Sequence, residues 1–238
     1  MSTLDKLLMR ELKLSRYEVS SLLNQRKVFV NDCLATQPKL ALLKGDRISI
    51  CGEQPFVVKQ GNVLRYMLYH KPVGVECSLH PALTNSLYHV TSWDDLYPVG
   101  RLDKESEGLV VMTNDGRLYK AITNHDAIEK EYVVSVNRDV TNDELLRLAS
   151  GIEIMGNDTL PAIVERLDSD EFRIILKEGR NRQIRRMCYK LNLNVTRLIR
   201  VRIHDLWLAD LKSGEFRNAT EVEVAQLKRL YSDRFIAS

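Results

Sequence analysis

Long apolar runs are missing from this sequence: its longest, such as Leu40–Leu43 and Leu109–Met112, reach four residues, against the ~20 that a membrane-spanning helix needs. The opening residues, Met1-Ser2-Thr3-Leu4-Asp5-Lys6, lack the apolar stretch and small-residue cleavage site of a secretory signal. A cytoplasmic protein without a membrane partner is expected. The four cysteines, Cys33, Cys51, Cys77 and Cys188, are far apart, with no pair at the short spacing of zinc sites or redox motifs. His80 follows Cys77 by three residues, but a single half-site does not hold a metal. Reduced, structural thiols are the expectation, with no metal and no cofactor. Internal repeats and low-complexity tracts are also missing.

What the chain does have is unevenly spread charge. The 238 residues sum to +3, a bland figure, but the distribution matters more than the total. Between Arg173 and Arg202 ten basic residues face one acid, Glu178, and residues 1–30 hold six basic and three acidic ones. The remainder of the chain is therefore net acidic. Such concentration fits a polyanion binder, although for either segment alone a solvated basic surface on an ordinary enzyme is an equal reading.

The first 50 residues read as a small unit. Leu4, Leu7, Leu8 and Leu12 recur at helical spacing, and Ser15 with Glu18 forms a capping-box pattern before the apolar face of Val19, Leu22 and Leu23. Val28–Val30 reads as a strand ending in an Asn31-Asp32 turn, and Arg47–Ile50 as a second strand after Gly45-Asp46. Arg10, Arg16, Arg26 and Lys27 decorate this unit. The segments Leu4-Asp5-Lys6, Ser15-Arg16, Val28–Asn31 and Lys44–Ile48 resemble the alpha-L RNA-binding module of ribosomal proteins. A linker is expected at 51–62 and a second domain over 63–238.

In that second domain, strands are expected at Tyr66–His70, Leu109–Thr113, Glu131–Val136, Ala162–Arg166 and Phe172–Lys177. Capping boxes start helices at Thr141 with Glu144, closing at Gly151, and at Thr220 with Glu223, running to about Tyr231. The strands are not separated by helices at regular spacing. The expected class is therefore α+β, a small helix-helix-strand module followed by a mixed, largely antiparallel sheet.

Periodicity predicts a two-faced helix over Gly179–Leu191. Ile184, Met187, Cys188 and Leu191 cluster on one side, and Arg182, Arg185, Arg186 and Tyr189 on the other. Arginines at this spacing repel one another, so phosphates or a carboxylate are the expected partners. Arg180, Arg197, Arg200 and Arg202 lie close by in sequence and extend the expected nucleic-acid surface.

The loop Tyr97–Leu109 is turn-like and charged, and an aspartate there is, on composition alone, a cap or turn residue. Gly100-Arg101-Leu102-Asp103, Ser106-Glu107-Gly108-Leu109 and Met112–Gly116 resemble the signature loop of RsuA-type bacterial ribosomal RNA pseudouridine synthases. Glu129–Tyr132 is similar to that family's tyrosine strand, Glu178–Met187 to its basic helix, and Lys71-Pro72-Val73-Gly74 is a further match. The resemblance implies an isomerase that converts uridine in ribosomal RNA to pseudouridine with no cofactor. It implies Asp103 as nucleophile, Tyr132 as the active-site aromatic and Arg185 as the cation paired with Asp103. By the chemistry of their side chains, Arg180, Arg182 and Arg186 are expected on RNA phosphates. Arg101 either fills the space of a flipped base or anchors the loop by a salt bridge, and Tyr132 without the resemblance is an ordinary strand tyrosine. Whether Asp103 attacks the sugar, attacks the base or assists glycal formation stays open.

The partner so implied is ribosomal RNA, free or in assembling subunits, with the protein a monomer. The Asn181–Met187 pattern leans towards large-subunit rRNA. Small-subunit rRNA is the alternative, and a non-catalytic rRNA assembly factor is a weaker one. A hydrolase built on Asp103 lacks a second convincing acid and a metal-binding cluster in the sequence.

Overall fold

The computed structural model describes residues 3–58, 64–80, 82–91, 93, 96–123 and 128–232, without the side chains of 120, 123, 231 and 232. Helix α1 (Leu4–Glu11) buries Leu4, Leu7 and Leu8, as the spacing requires. Helix α2 (Arg16–Asn24) starts at the expected capping box and buries Val19 and Leu23. Strand β1 (Val28–Val30) turns back through Asn31 and Asp32 into β2 (Cys33–Leu34). Both turn residues have positive φ, 50° and 62°, the geometry of a two-residue hairpin whose twist matches its strands. Asn31 serves twice: its Nδ2 donates to Asp46 and its Oδ1 accepts from the Arg47 backbone, each at 2.9 Å. That fixes β3 (Arg47–Ile50) against β1.

β4 (Phe56–Val57) pairs with β3, and Val58 is buried in the same core. Ordered pairing of this first sheet thus continues into the stretch read as linker. Of that stretch, 59–62 lie outside the described residues.

The rest of the chain builds around a nine-stranded sheet. In order come β5 (Tyr66–Lys71), α3 (Leu87–Val90), β6 (Tyr97–Val99), β7 (Glu107–Thr113), α4 (Gly116–Thr123) and β8 (Lys130–Val136). Then follow α5 (Asn142–Ser150), β9 (Glu153–Ile154), β10 (Asn157–Asp158), β11 (Ile163–Arg166), β12 (Glu171–Leu176) and α6 (Gln183–Tyr189). The chain closes with β13 (Val195–Ile203), β14 (Leu206–Trp207), β15 (Phe216–Asn218) and α7 (Glu221–Ser232). The main path runs β11-β12-β8-β13-β7-β5-β15, with β14 on β13 and β6 on β7.

Among the described residues every strand pairing of this sheet is antiparallel except β13 with β7. The class is α+β, as expected. One core cluster joins β8 and β12 to α5 and α6, and a second joins β5 and β7 to α4 and α7. The alternation of β12, with Phe172, Ile174 and Leu176 buried and their neighbours half-buried, is the period-2 pattern that makes a strand legible.

One expectation needs correction, and one strand was not foreseen. The helix predicted over Gly179–Leu191 begins only at Gln183, and Arg182 is its N-cap in the left-handed region at φ 52°. The unforeseen strand is β13, the longest among the described residues, whose apolar pattern is broken by the three arginines within Val195–Ile203.

Candidate active site

A cavity of about 690 Å³ opens between the loop after β6, the face of β8 and the turn leading into α6. Asp103, Tyr132, Arg101, Arg180 and Arg182 all line it, so five residues singled out in sequence converge. Arg185 and Arg186 lie outside that lining. Arg10, Arg16, Arg26 and Lys27 are exposed on the first unit and are not part of the cavity.

The loop carrying Asp103 is held almost entirely through its backbone. Leu102 is buried and its N–H donates to Cys77 Sγ at 3.3 Å. The Ser106 N–H donates to the Asp103 carbonyl at 3.1 Å, closing a turn, and the Gly74 N–H donates to the Lys104 carbonyl at 2.8 Å. Gly108, at φ +113°, lets β7 approach β13 so closely that an added Cβ would lie 2.3 Å from the Arg200 carbonyl oxygen. Such contact only glycine permits.

Two fully buried cations brace the same loop, and the sequence reading had assigned neither to it. Lys71 Nζ donates to the carbonyls of Pro72 (2.8 Å), Val75 (2.7 Å) and, more weakly, Lys104 (3.4 Å). Burial pulls its pKa below the usual lysine value, opposed in part by the nearby carboxylates of Asp103 and Glu105. Arg200 donates from Nη2 to the Gly100 carbonyl at 2.6 Å and from Nε to the Leu109 carbonyl at 2.8 Å. It is 1 % exposed, so it adds nothing to an outer basic surface, contrary to expectation, and meets only the cavity wall. Arg197 and Arg202 are likewise engaged, with Glu107 and with Glu129 and Glu131.

The basic helix is also differently employed. Arg185 does not ion-pair with Asp103: its Nη2 donates to the Glu105 carbonyl at 2.9 Å and to Ser106 Oγ at 3.4 Å, and its Nη1 to the Val195 carbonyl. Its reach falls on the loop's backbone, two residues beyond the carboxylate, while Asp103 and Glu105 remain within electrostatic range. Burial, with Arg182 nearby, holds its pKa below the usual arginine value.

Arg182 donates to Glu105 Oε2 at 2.6 Å across the cavity mouth, and this bond draws the Glu105 carboxyl below the usual range. Arg180 is fixed by Glu178 Oε2 and by the carbonyls of Asn157 and Asp158. The buried Glu178 accepts in turn from Gln183 Nε2 and the Leu160 N–H, which shapes the turn into α6. Arg186 is exposed, and among the described residues its side chain bonds only to Asn181. Arg101, also exposed, has no side-chain partner among the described residues, so the salt-bridge reading finds no acid. Among those residues no group of three or more His, Cys, Asp or Glu could hold a metal ion, and no helix is long and apolar enough to cross a membrane.

Comparison with known proteins now adds to this geometry. Residues 65–190 match the RNA pseudouridylate synthase family. The dual-specificity RNA pseudouridine synthase RluF of Salmonella typhi is 32 % identical over 220 residues, 91 % of this chain and 75 % of that protein. The ribosomal small subunit pseudouridine synthase A of Escherichia coli K12 is 32 % identical over 232 residues, 94 % of this chain and 99 % of its own. A crystal structure of a pseudouridylate synthase superposes with a TM-score of 0.66 at 28 % identity, covering 95 % of this chain and all of the other. The chain belongs to the RsuA-type RNA pseudouridine synthase family.

Proposed function

We propose that this protein isomerises a specific uridine of ribosomal RNA to pseudouridine, with Asp103 as the nucleophile. The observation that carries the reading is the convergence of Asp103 and Tyr132 in one cavity rimmed by Arg101, Arg180 and Arg182. The bond from the ribose anomeric carbon to uracil N1 breaks, the base turns, and a bond forms to C5. N1 regains a proton and C5 loses one. A carboxylate can carry the covalent or proton-removing part of this sequence. The Tyr132 ring suits stacking on the extruded base, and its hydroxyl can reach the C5 proton. Arg101, without a side-chain partner among the described residues and beside the nucleophile, is suited to the space the base leaves, since extrusion costs a few kcal/mol of lost stacking. Arg185 supports catalysis through the Glu105 and Ser106 contacts. Arg182 and Arg186 serve RNA phosphates.

In this reading residues 1–50 form an alpha-L type RNA-binding module carrying Arg10, Arg16, Arg26 and Lys27, the domain over 63–238 does the chemistry, and the protein works in the cytoplasm as a monomer without a cofactor. The Asn181–Met187 pattern favours large-subunit rRNA. Small-subunit rRNA is the second reading, favoured by the similarity to a small-subunit enzyme over 94 % of the chain. The test maps pseudouridines in rRNA from cells lacking the gene, complemented with wild type or Asp103→Asn. One 23S site is expected to disappear, to return with wild type and to stay absent with Asp103→Asn. A lost 16S site selects the second reading. No lost site, or full restoration by Asp103→Asn, overturns the proposal.

A further inference from the structure

We infer that Arg200 is a positioning residue for the isomerisation, setting the Asp103 loop against the strand that carries Tyr132. The inference rests on the function proposed above and names a side chain that neither the sequence nor that reading brought into the site. Arg200 stands in the middle of β13, with Tyr132 of β8 as its cross-strand partner on one side and Gly108 of β7 on the other. Both Arg200 and Tyr132 line the cavity. Its guanidinium spans from the Leu109 carbonyl, where β7 leaves the loop, to the Gly100 carbonyl at 2.6 Å and the Arg101 carbonyl at 3.5 Å, where the chain enters it. Both ends of the segment holding Asp103 are thus tied to one planar group, and that group is rooted opposite Tyr132.

Fold stability alone does not explain an arginine here. It is 1 % exposed, and among the described residues no carboxylate lies within ion-pair distance of it. A buried cation balanced only by carbonyl dipoles is a poor way to gain stability, because desolvation is costly and a well-packed apolar side chain often serves as well. What only arginine supplies is a rigid fork that can hold two or three acceptors in fixed relation. Lysine keeps the charge without the fork, and methionine keeps the bulk without the charge. A catalytic group displaced by about 1 Å costs on the order of a hundredfold in rate, so loop geometry of this kind is worth holding.

The experiment compares Arg200→Lys and Arg200→Met with wild type and Asp103→Asn, using protein-free rRNA labelled with tritium at uridine C5, from cells lacking the gene. Single-turnover tritium release at saturating enzyme, the Kd for the same RNA and the thermal melt are measured for each. Expected are cooperative melts, Kd values within about twofold of wild type, and single-turnover rates at least about tenfold lower for both Arg200 variants, in line with the cost of misplacement. Wild-type rate in Arg200→Lys overturns the inference, and so does a Kd that weakens as much as the rate falls. Should Arg200→Met fail to fold, Arg200→Lys decides alone. Unfolding of both also overturns it, since Arg200 is then a determinant of the fold. Activity in Asp103→Asn would instead sink the functional reading, so the two failures are distinguishable.

Discussion

At the scale of single residues, the two arginines at the start of α6 divide their work by what they already hold. Arg182 is tied to Glu105 by a half-exposed ion pair, worth roughly 0.2–1 kcal/mol. A phosphate entering the cavity competes with Glu105 for that guanidinium. Glu105→Gln is therefore expected to tighten rRNA binding by up to about fivefold, the ceiling set by that interaction; a weaker Kd at fixed salt would count against the competition. Arg185 bonds the loop itself. Arg185→Ala is expected to lower turnover more than affinity, whereas Arg182→Ala and Arg186→Ala lower affinity more than turnover. Equal losses on both axes for all three would erase the division. The sequence alone made these arginines one face. Only the left-handed Arg182 and the buried turn at Glu178 and Gln183 separate them.

At the scale of elements, what an end or turn costs to change depends on what its backbone and side chains meet. Gly108→Ala places a methyl against the β13 backbone and adds strain at φ +113°. A cost of about 3 kcal/mol or more is expected. Gly156→Ala, at φ +79° with nothing within 4 Å, should cost only the backbone penalty of about 1–2 kcal/mol. Equal melting losses in the two variants would mean that the β7–β13 approach does not matter. At α7, Glu223 caps the Thr220 N–H and accepts two bonds from Arg217, and Arg217 first of all depresses its pKa from 4.5 to about 2. Because the folded value is the lower one, this stabilisation is complete above about pH 4.5 and is lost as pH falls towards 2. Solvent screening leaves it on the order of 1 kcal/mol. Glu223→Gln should lower the melting temperature at neutral pH and flatten its fall between pH 4.5 and 2; an unchanged acid slope would refute the assignment. Capping boxes such as this one, and alternation in β12, are local and were legible in sequence. The strands β2 and β4 are two residues long, too short for any periodicity, and β13 became a strand only through its neighbours. The site followed the same rule: Asp103 carries no local signal beyond its motif, and Arg200 is buried by tertiary pairing.

Across the whole molecule, charge separates into pairs that hold the fold and cations left for a polyanion. Several arginines of the larger sheet and its helices are spoken for: Arg173, Arg180, Arg197, Arg202 and Arg217 all bind acids of the chain. The basic stretch Arg173–Arg202 thus leaves fewer uncommitted cations than its composition promised. The first unit differs. Arg16, Arg26 and Lys27 are exposed without an ion pair among the described residues, and Arg10 meets only its neighbour Glu11 at the surface. If these four contact phosphates, each releases counterions on binding, and the slope of log Kd against log salt carries about 0.7–0.9 per contact. Replacing all four by glutamine is expected to reduce that slope by roughly 3, to weaken rRNA binding at moderate salt, and to leave the single-turnover rate at saturation unchanged, because none of them lines the cavity. A slope that does not move would place the phosphate contacts elsewhere, and a lower saturated rate with an intact slope would show that the first unit acts on the chemistry and not on grip.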